Sequence, residues 1–165
     1  MINNEDRVLA IAPFTGGLGY AVIEWPLSLV AWGVKNTPAK QQNKVVTNIA
    51  SLIAHYQPTT IALEDGGTKR TRRAAHLKSL MRQINRRAAT TNIKVRTFSR
   101  PNVRDAFGLS SGATKHDLAV GVATKLPELV PMLPAPRRCG HNENYYMPMF
   151  TATAIALTYL YHRRH

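Results

Sequence analysis

Residues 7–34, RVLAIAPFTGGLGYAVIEWPLSLVAWGV, decide how this chain folds. They contain three runs rich in apolar and β-branched residues, at residues 7–13, 18–25 and 28–34. Short Thr-Gly-Gly and Pro-Leu turns separate these runs. Consecutive β-type runs joined by such short connections are typical of an antiparallel meander. The opening of the chain therefore predicts three antiparallel strands.

The rest of the chain alternates between helical and β-type patterns. Apolar residues at helical spacing, and one serine–proline start signal, predict five helices at residues 39–56, 69–89, 100–107, 115–126 and 147–161. Two further strands are predicted at residues 59–64 and 93–98, and the proline-rich residues 127–144 predict a surface loop. A meander that continues into parallel strands joined by helices is a mixed five-stranded α/β sheet. We expect one domain over residues 1–165.

The charge of the chain is far from balanced. Twenty-two Lys and Arg stand against nine Asp and Glu, which gives a net charge of +13 and a pI near 10.5. Such a field concentrates polyanions, and it favours nucleic acid over an anionic membrane as the partner. No apolar run approaches the roughly 18–20 residues that span a bilayer. The one cysteine, Cys139, cannot form an intrachain disulfide, so we expect a reducing, cytoplasmic setting.

The predicted helix at residues 69–89 carries most of the local positive charge. It has no acidic residue and eight basic ones: Lys69, Arg70, Arg72, Arg73, Lys78, Arg82, Arg86 and Arg87. These charges repel one another, whereas a merely solvated helix usually mixes both signs. We therefore expect the helix to face phosphates, beginning with Lys69, Arg70, Arg72 and Arg73 and continuing through Lys78 and Arg82. Lys115, which opens a later helix, is a further candidate contact.

Four stretches together resemble a known family. They are AIAPFTGGLGYAVIE at residues 10–24, ALEDG at 62–66, GATKHDLA at 112–119 and ENYYMPMFTATAIALTYL at 143–160. In this order they resemble the RuvC-type Holliday-junction resolvases, which belong to the ribonuclease H-like superfamily. The resemblance implies a ribonuclease H-like fold, a homodimer on branched DNA, and two magnesium ions held by carboxylates at strand ends and on the last helix.

The resemblance is uneven at the positions that would bind the metals. Glu64 stands where the family has the glutamate that ends its fourth strand, but Ala12 and Thr151 stand where it has aspartates. Glu143 lies just upstream of the last helix and is the second candidate catalytic and metal-binding residue, with Glu64. Two hard cations need several converging carboxylates, so two-metal catalysis should be lost or severely weakened. Deliberate inactivation could explain Ala12 but explains Thr151 less readily, which favours natural degeneration.

The leading hypothesis is a protein that binds branched DNA or structured RNA with little or no nuclease activity. The rival is an active endonuclease that rebuilds its acid cluster from Glu64, Asp65, Glu143 and His141, with Mg²⁺ or Mn²⁺ as cofactor. A third hypothesis is a structural subunit whose basic helix contacts an acidic protein. The sequence does not separate DNA from RNA.

Overall fold

The computed structural model describes residues 6–38, 43–65, 71–136 and 144–164. Its strands are β1 Arg7–Phe14, β2 Gly17–Glu24, β3 Ser28–Asn36, β4 Thr60–Glu64 and β5 Lys94–Phe98. Its helices are α1 Asn43–Tyr56, α2 Arg72–Thr91, α3 Arg100–Ala106, α4 Lys115–Lys125, a 3₁₀ helix Pro127–Met132, and α5 Met147–Arg164. Among these residues, no helix is both long enough and apolar enough to cross a membrane.

The five strands form one mixed sheet in the order β3-β2-β1-β4-β5. The first three strands pair antiparallel, whereas β4 pairs parallel to β1 and β5 pairs parallel to β4. The predicted meander and the predicted mixed sheet are therefore confirmed. β1 lies at the centre because its continuous apolar run lets it be buried on both faces, as central strands with parallel neighbours require.

Two hydrophobic cores lie on opposite faces of the sheet. Val8, Ala10 and Ala12 of β1 face α3, α4 and α5, while Leu9 and Ile11 face α1 and α2. This alternation follows from the two-residue period of a strand. Every one of these five side chains is buried.

Helix α5 lies close against the meander at one particular point. Gly19 of β2 is paired with Ala12 of β1, and the backbone of Pro148 and Met149 packs directly on it. A Cβ atom at position 19 would come within 2.5 Å of the Met149 nitrogen and closer still to the Pro148 carbonyl. Glycine at this position therefore brings the start of α5, including Thr151, beside the end of β1.

Three sequence predictions need correction at their boundaries. The basic helix was predicted from residue 69, but α2 begins at Arg72, where the Thr71 side chain accepts a hydrogen bond from the Ala74 N–H. Such a side-chain cap satisfies a free N–H at the helix start and so sets the boundary. The last helix was predicted to end at residue 161, but α5 continues to Arg164. Its basic last turn complements the negative end of the helix dipole.

The third correction concerns the predicted surface loop at residues 127–144. Its first six residues form a 3₁₀ helix, and Leu129 within it is fully buried in the core on the α5 side of the sheet. Pro127, Pro131 and the shortness of the segment hid this helix from a periodicity argument, since six residues with one buried side chain are too few to show a period. Residues 137–143 lie outside the described residues.

Candidate functional site

An open groove with a volume of about 820 Å³ lies where β1 and β4 end. Because these strands run parallel, their carboxyl ends meet at the same edge of the sheet. The turn after β1 forms one part of the wall, and the starts of α2, α3, α4 and α5 form the rest. Polar groups at this edge of an open α/β sheet are well placed to meet a ligand.

Three positions predicted from the sequence lie in this groove. Ala12 comes from the end of β1, Glu64 from the end of β4 and Thr151 from the first turns of α5. Pro148, one helical turn before Thr151, also lines it. The positions at which the family resemblance expects metal ligands thus converge, although they are far apart in the sequence. Glu143, the other candidate ligand, lies outside the described residues, as does His141.

The donors present at these positions do not suit a pair of magnesium ions. Ala12 has no side-chain oxygen, and the Thr151 hydroxyl donates a hydrogen bond to the Met147 carbonyl at 3.1 Å. Glu64 is the one carboxylate among the described residues of the groove wall. No group of three or more His, Cys, Asp or Glu side chains that could hold a metal occurs within the described residues. Magnesium prefers octahedral oxygen coordination that usually includes carboxylates. The described residues of the groove therefore do not fit two magnesium ions.

Glu64 is engaged by an arginine. Arg100, the first residue of α3, donates a hydrogen bond from Nε to the Glu64 Oε1 at 2.7 Å. The Glu64 side chain is 17% exposed and that of Arg100 is 60% exposed. The carboxylate is therefore largely buried at the floor of the groove, while the guanidinium bonded to it is exposed to solvent.

Positive charge dominates the groove. Its described wall carries four cationic side chains, Arg72, Arg100, Arg104 and Lys115, against the single carboxylate of Glu64. The excess is three positive charges with His76, which also lines the groove, taken as neutral. Such a concave cationic surface attracts phosphate groups far more strongly than it attracts metal cations.

Sequence reasoning missed Arg100, Arg104 and His76. Arg100 and Arg104 are one helical turn apart on α3, and α3 begins directly after β5. β5 is parallel to β4, with Phe98 beside Glu64, so α3 begins at the same edge of the sheet as the groove. That parallel register was the signal that could have located both arginines, because parallel strands end together.

The other predicted phosphate contacts divide between the groove and one helix surface. Arg72 and Lys115 line the groove, while Lys78 and Arg82 are exposed farther along α2. Lys78, Arg82 and Arg86 are spaced four residues apart, so they share one face of the helix. None of these three has an acidic partner among the residues that the structure describes. Lys69 and Arg70, and the side chain of Arg73, lie outside the described residues.

The start of α4 is fixed by a capping box. The Thr114 side chain accepts a hydrogen bond from the Asp117 N–H, and the Asp117 carboxylate accepts one from the Thr114 N–H. Backbone and side-chain hydrogen bonds from Thr114 hold the pKa of Asp117 below its usual value. This cap defines where α4 begins, and hence where Lys115 enters the groove wall.

Solved structures similar to this chain include two of RuvC. Thermus thermophilus RuvC in complex with a Holliday junction substrate is 21% identical, with 96% of this chain and 95% of that chain covered and a TM-score of 0.70. A second Thermus thermophilus RuvC structure gives the same identity and coverage with a TM-score of 0.66. No protein-family model and no curated protein matches the sequence. The chain has the ribonuclease H-like fold of RuvC, and the predicted fold class is confirmed.

Proposed function

We propose that this chain is a RuvC-like protein that binds branched DNA through its groove and the exposed face of α2, without two-metal cleavage. One observation carries the proposal: the groove wall presents four cations, and its one described carboxylate is engaged by Arg100. The related RuvC structure in complex with a Holliday junction substrate supports branched DNA over other polyanions. Structured RNA remains the alternative ligand, to be compared in the same assay.

The cations of the groove and of the α2 face set the expected number of phosphate contacts, and hence the expected salt dependence of binding. Lys78 and Arg82 on α2, with the four cations of the groove, make six side chains that can each neutralise a phosphate. Each neutralised phosphate releases condensed counterions, and the logarithm of the affinity falls with the logarithm of salt by about 0.9 per contact. The expected slope is therefore about −5.

The proposal also includes three properties of the whole protein: it forms a homodimer, it is one domain over residues 1–165, and it is located in the cytoplasm.

The test is fluorescence anisotropy with labelled four-way junction, linear duplex, single strand and RNA hairpin in EDTA, across a range of NaCl concentrations. The Lys78→Ala, Arg82→Ala double variant should weaken junction binding and make the slope shallower by about two units. The matched control is Lys44→Ala, an exposed lysine on α1 that does not line the groove. A flat salt dependence, or equal affinity for all four ligands, would contradict the proposal.

Cleavage is measured in parallel on the labelled junction with Mg²⁺ and with Mn²⁺. The proposal expects no cleavage by the parent protein. Cleavage that disappears in Glu64→Gln would instead favour the rival endonuclease, with Glu64, Asp65, Glu143 and His141 as its candidate ligands. If the protein binds no nucleic acid but captures one acidic protein partner, the structural-subunit hypothesis replaces both.

A further inference from the structure

We propose that Glu64 has exchanged the role of metal ligand for that of a positioning residue, which orients Arg100 so that the groove binds a backbone phosphate directly, without a metal ion. This inference rests on the proposed function and specifies the chemistry of its groove. The observation that carries it is the Arg100–Glu64 pair, in which a carboxylate at the floor of a cationic groove holds one nitrogen of a guanidinium.

The geometry of the pair leaves most of the guanidinium available. Arginine has five N–H donors in a rigid fork, and Glu64 engages the one on Nε. The described residues provide no acceptor for the two terminal nitrogens of Arg100, and its side chain is 60% exposed. A guanidinium fixed through Nε presents its terminal nitrogens in one defined orientation, and such pairs of donors match a phosphate bidentately.

Two further arginines complete the site. Arg104 lies one turn after Arg100 on α3, and Arg72 lies in the first turn of α2. Both line the groove, and neither has an acidic partner among the described residues. Three guanidinium groups from two helices therefore converge on one concavity, as is typical of phosphate recognition by arginine clusters.

The burial of Glu64 explains why one carboxylate can persist in a phosphate site. Glu64 lines the groove, but its side chain is only 17% exposed and its carboxylate is bonded to the Arg100 guanidinium, so its charge is largely offset by Arg100. A metal-binding role requires the opposite arrangement, in which the carboxylate faces the ligand and no cation covers it. When Mg²⁺ is present, the two roles make opposite predictions for the same substitution. Removing the Glu64 charge weakens phosphate binding that passes through a metal ion, but strengthens phosphate binding by the arginines alone.

The experiment uses the full chain and two probes: inorganic phosphate, followed through the Arg Nε–Hε resonances by NMR, and the labelled four-way junction, followed by anisotropy. In EDTA, phosphate should shift the Arg100 resonance saturably, and Mg²⁺ should not improve the affinity. Glu64→Gln keeps the acceptor for Nε but removes the charge, so it should bind both probes roughly threefold to tenfold more tightly.

Three other variants separate positioning from net charge. Arg100→Ala should weaken junction binding roughly tenfold or more and abolish the saturable phosphate shifts at the remaining groove arginines. Arg100→Lys keeps the charge but not the fork, so it should recover less than half of the lost binding free energy. Glu64→Ala removes charge and acceptor together, so it should bind more weakly than Glu64→Gln. Circular dichroism melting and the Lys44→Ala control check that the variants fold and that the assay is specific.

The outcomes distinguish this inference from the proposed function. Binding by the parent that requires Mg²⁺, or weaker binding by Glu64→Gln than by the parent when Mg²⁺ is present, overturns the positioning role and restores a metal site. If Arg100→Ala and Arg104→Ala change neither probe by more than twofold while Lys78→Ala, Arg82→Ala weakens the junction, the groove inference fails, and the proposed junction binding stands only through the face of α2. If none of these variants alters junction binding, both fail.

Discussion

Replacing Gly19 by alanine tests the contact that assembles the groove. A Cβ at this position meets backbone atoms of Pro148 and Met149 at 2.5 Å or less, whereas ordinary carbon contacts need about 3.5 Å or more. Helix α5 must therefore withdraw by about 1 Å, since backbone atoms cannot rotate away as a side chain can. Overpacking of this kind costs about 3 kcal/mol. For a protein of this length, that loss lowers Tm by roughly 6–12 °C.

The assay is thermal unfolding of Gly19→Ala followed by circular dichroism, with Gly112→Ala as the matched control. A Cβ at Gly112 would meet no atom within 4 Å. The control should keep or slightly raise the Tm, because alanine restricts the unfolded chain. A Gly19→Ala protein whose Tm stays within about 2 °C of the parent would refute the packing of α5 on β2. It would also remove the structural reason for grouping Thr151 with Ala12.

Three further predictions concern the charge, the cap and the core. The Ala12→Asp, Thr151→Asp double variant should bind the junction more weakly in EDTA, and Mg²⁺ should raise its Tm, because the added carboxylates supply metal ligands in the groove. A Tm that does not change with Mg²⁺ would contradict this prediction. The pKa of Asp117 is lowered in the folded state, so its cap stabilises α4 above the usual carboxyl range, and this stabilisation is lost as pH falls through the lowered pKa. The hydrogen-exchange protection factors of the α4 amides, taken relative to the unfolded chain at the same pH, should fall there, and this pH dependence should vanish in Asp117→Asn. Leu129→Ala should lower the free energy of unfolding by about 2–5 kcal/mol in urea melts, while Val130→Ala, at a 53% exposed position, should change it by less than about 0.5 kcal/mol.

The sheet was predictable because its signals are local. The turns after β1 and β2 are short and rich in glycine or proline, and each apolar run has the length of a strand, so the meander followed directly. The capping signal at Ser99 was equally local, and the structure has the full capping box there, with Ser99 and Asn102 bonded reciprocally. Predictions of this kind need only neighbours in the chain.

The chemistry of the groove was less predictable because it depends on residues that meet only in three dimensions. The family resemblance pointed to Ala12, Glu64 and Thr151, which all line the groove. It gave no sign that an arginine would bond to Glu64. Arg100 lies 36 residues after Glu64 and is joined to it through the parallel register of β4 and β5. The composition gives only the net positive charge of the chain. The fold shows which of these charges lie in the groove wall and which lie on one face of α2.

Binding and cleavage place opposite demands on such a groove, and this accounts for the pattern of residues. Carboxylates that hold metal ions repel the phosphate backbone unless the ions are present. Each carboxylate lost from the metal site therefore makes the metal-free groove more positive. Ala12 and Thr151 stand where the family resemblance expects acids, and the described groove wall has four cations and one carboxylate, which is bonded to Arg100. If the groove binds DNA as proposed, we therefore expect the absence of these two acids to strengthen binding in EDTA and to make the affinity independent of divalent ions.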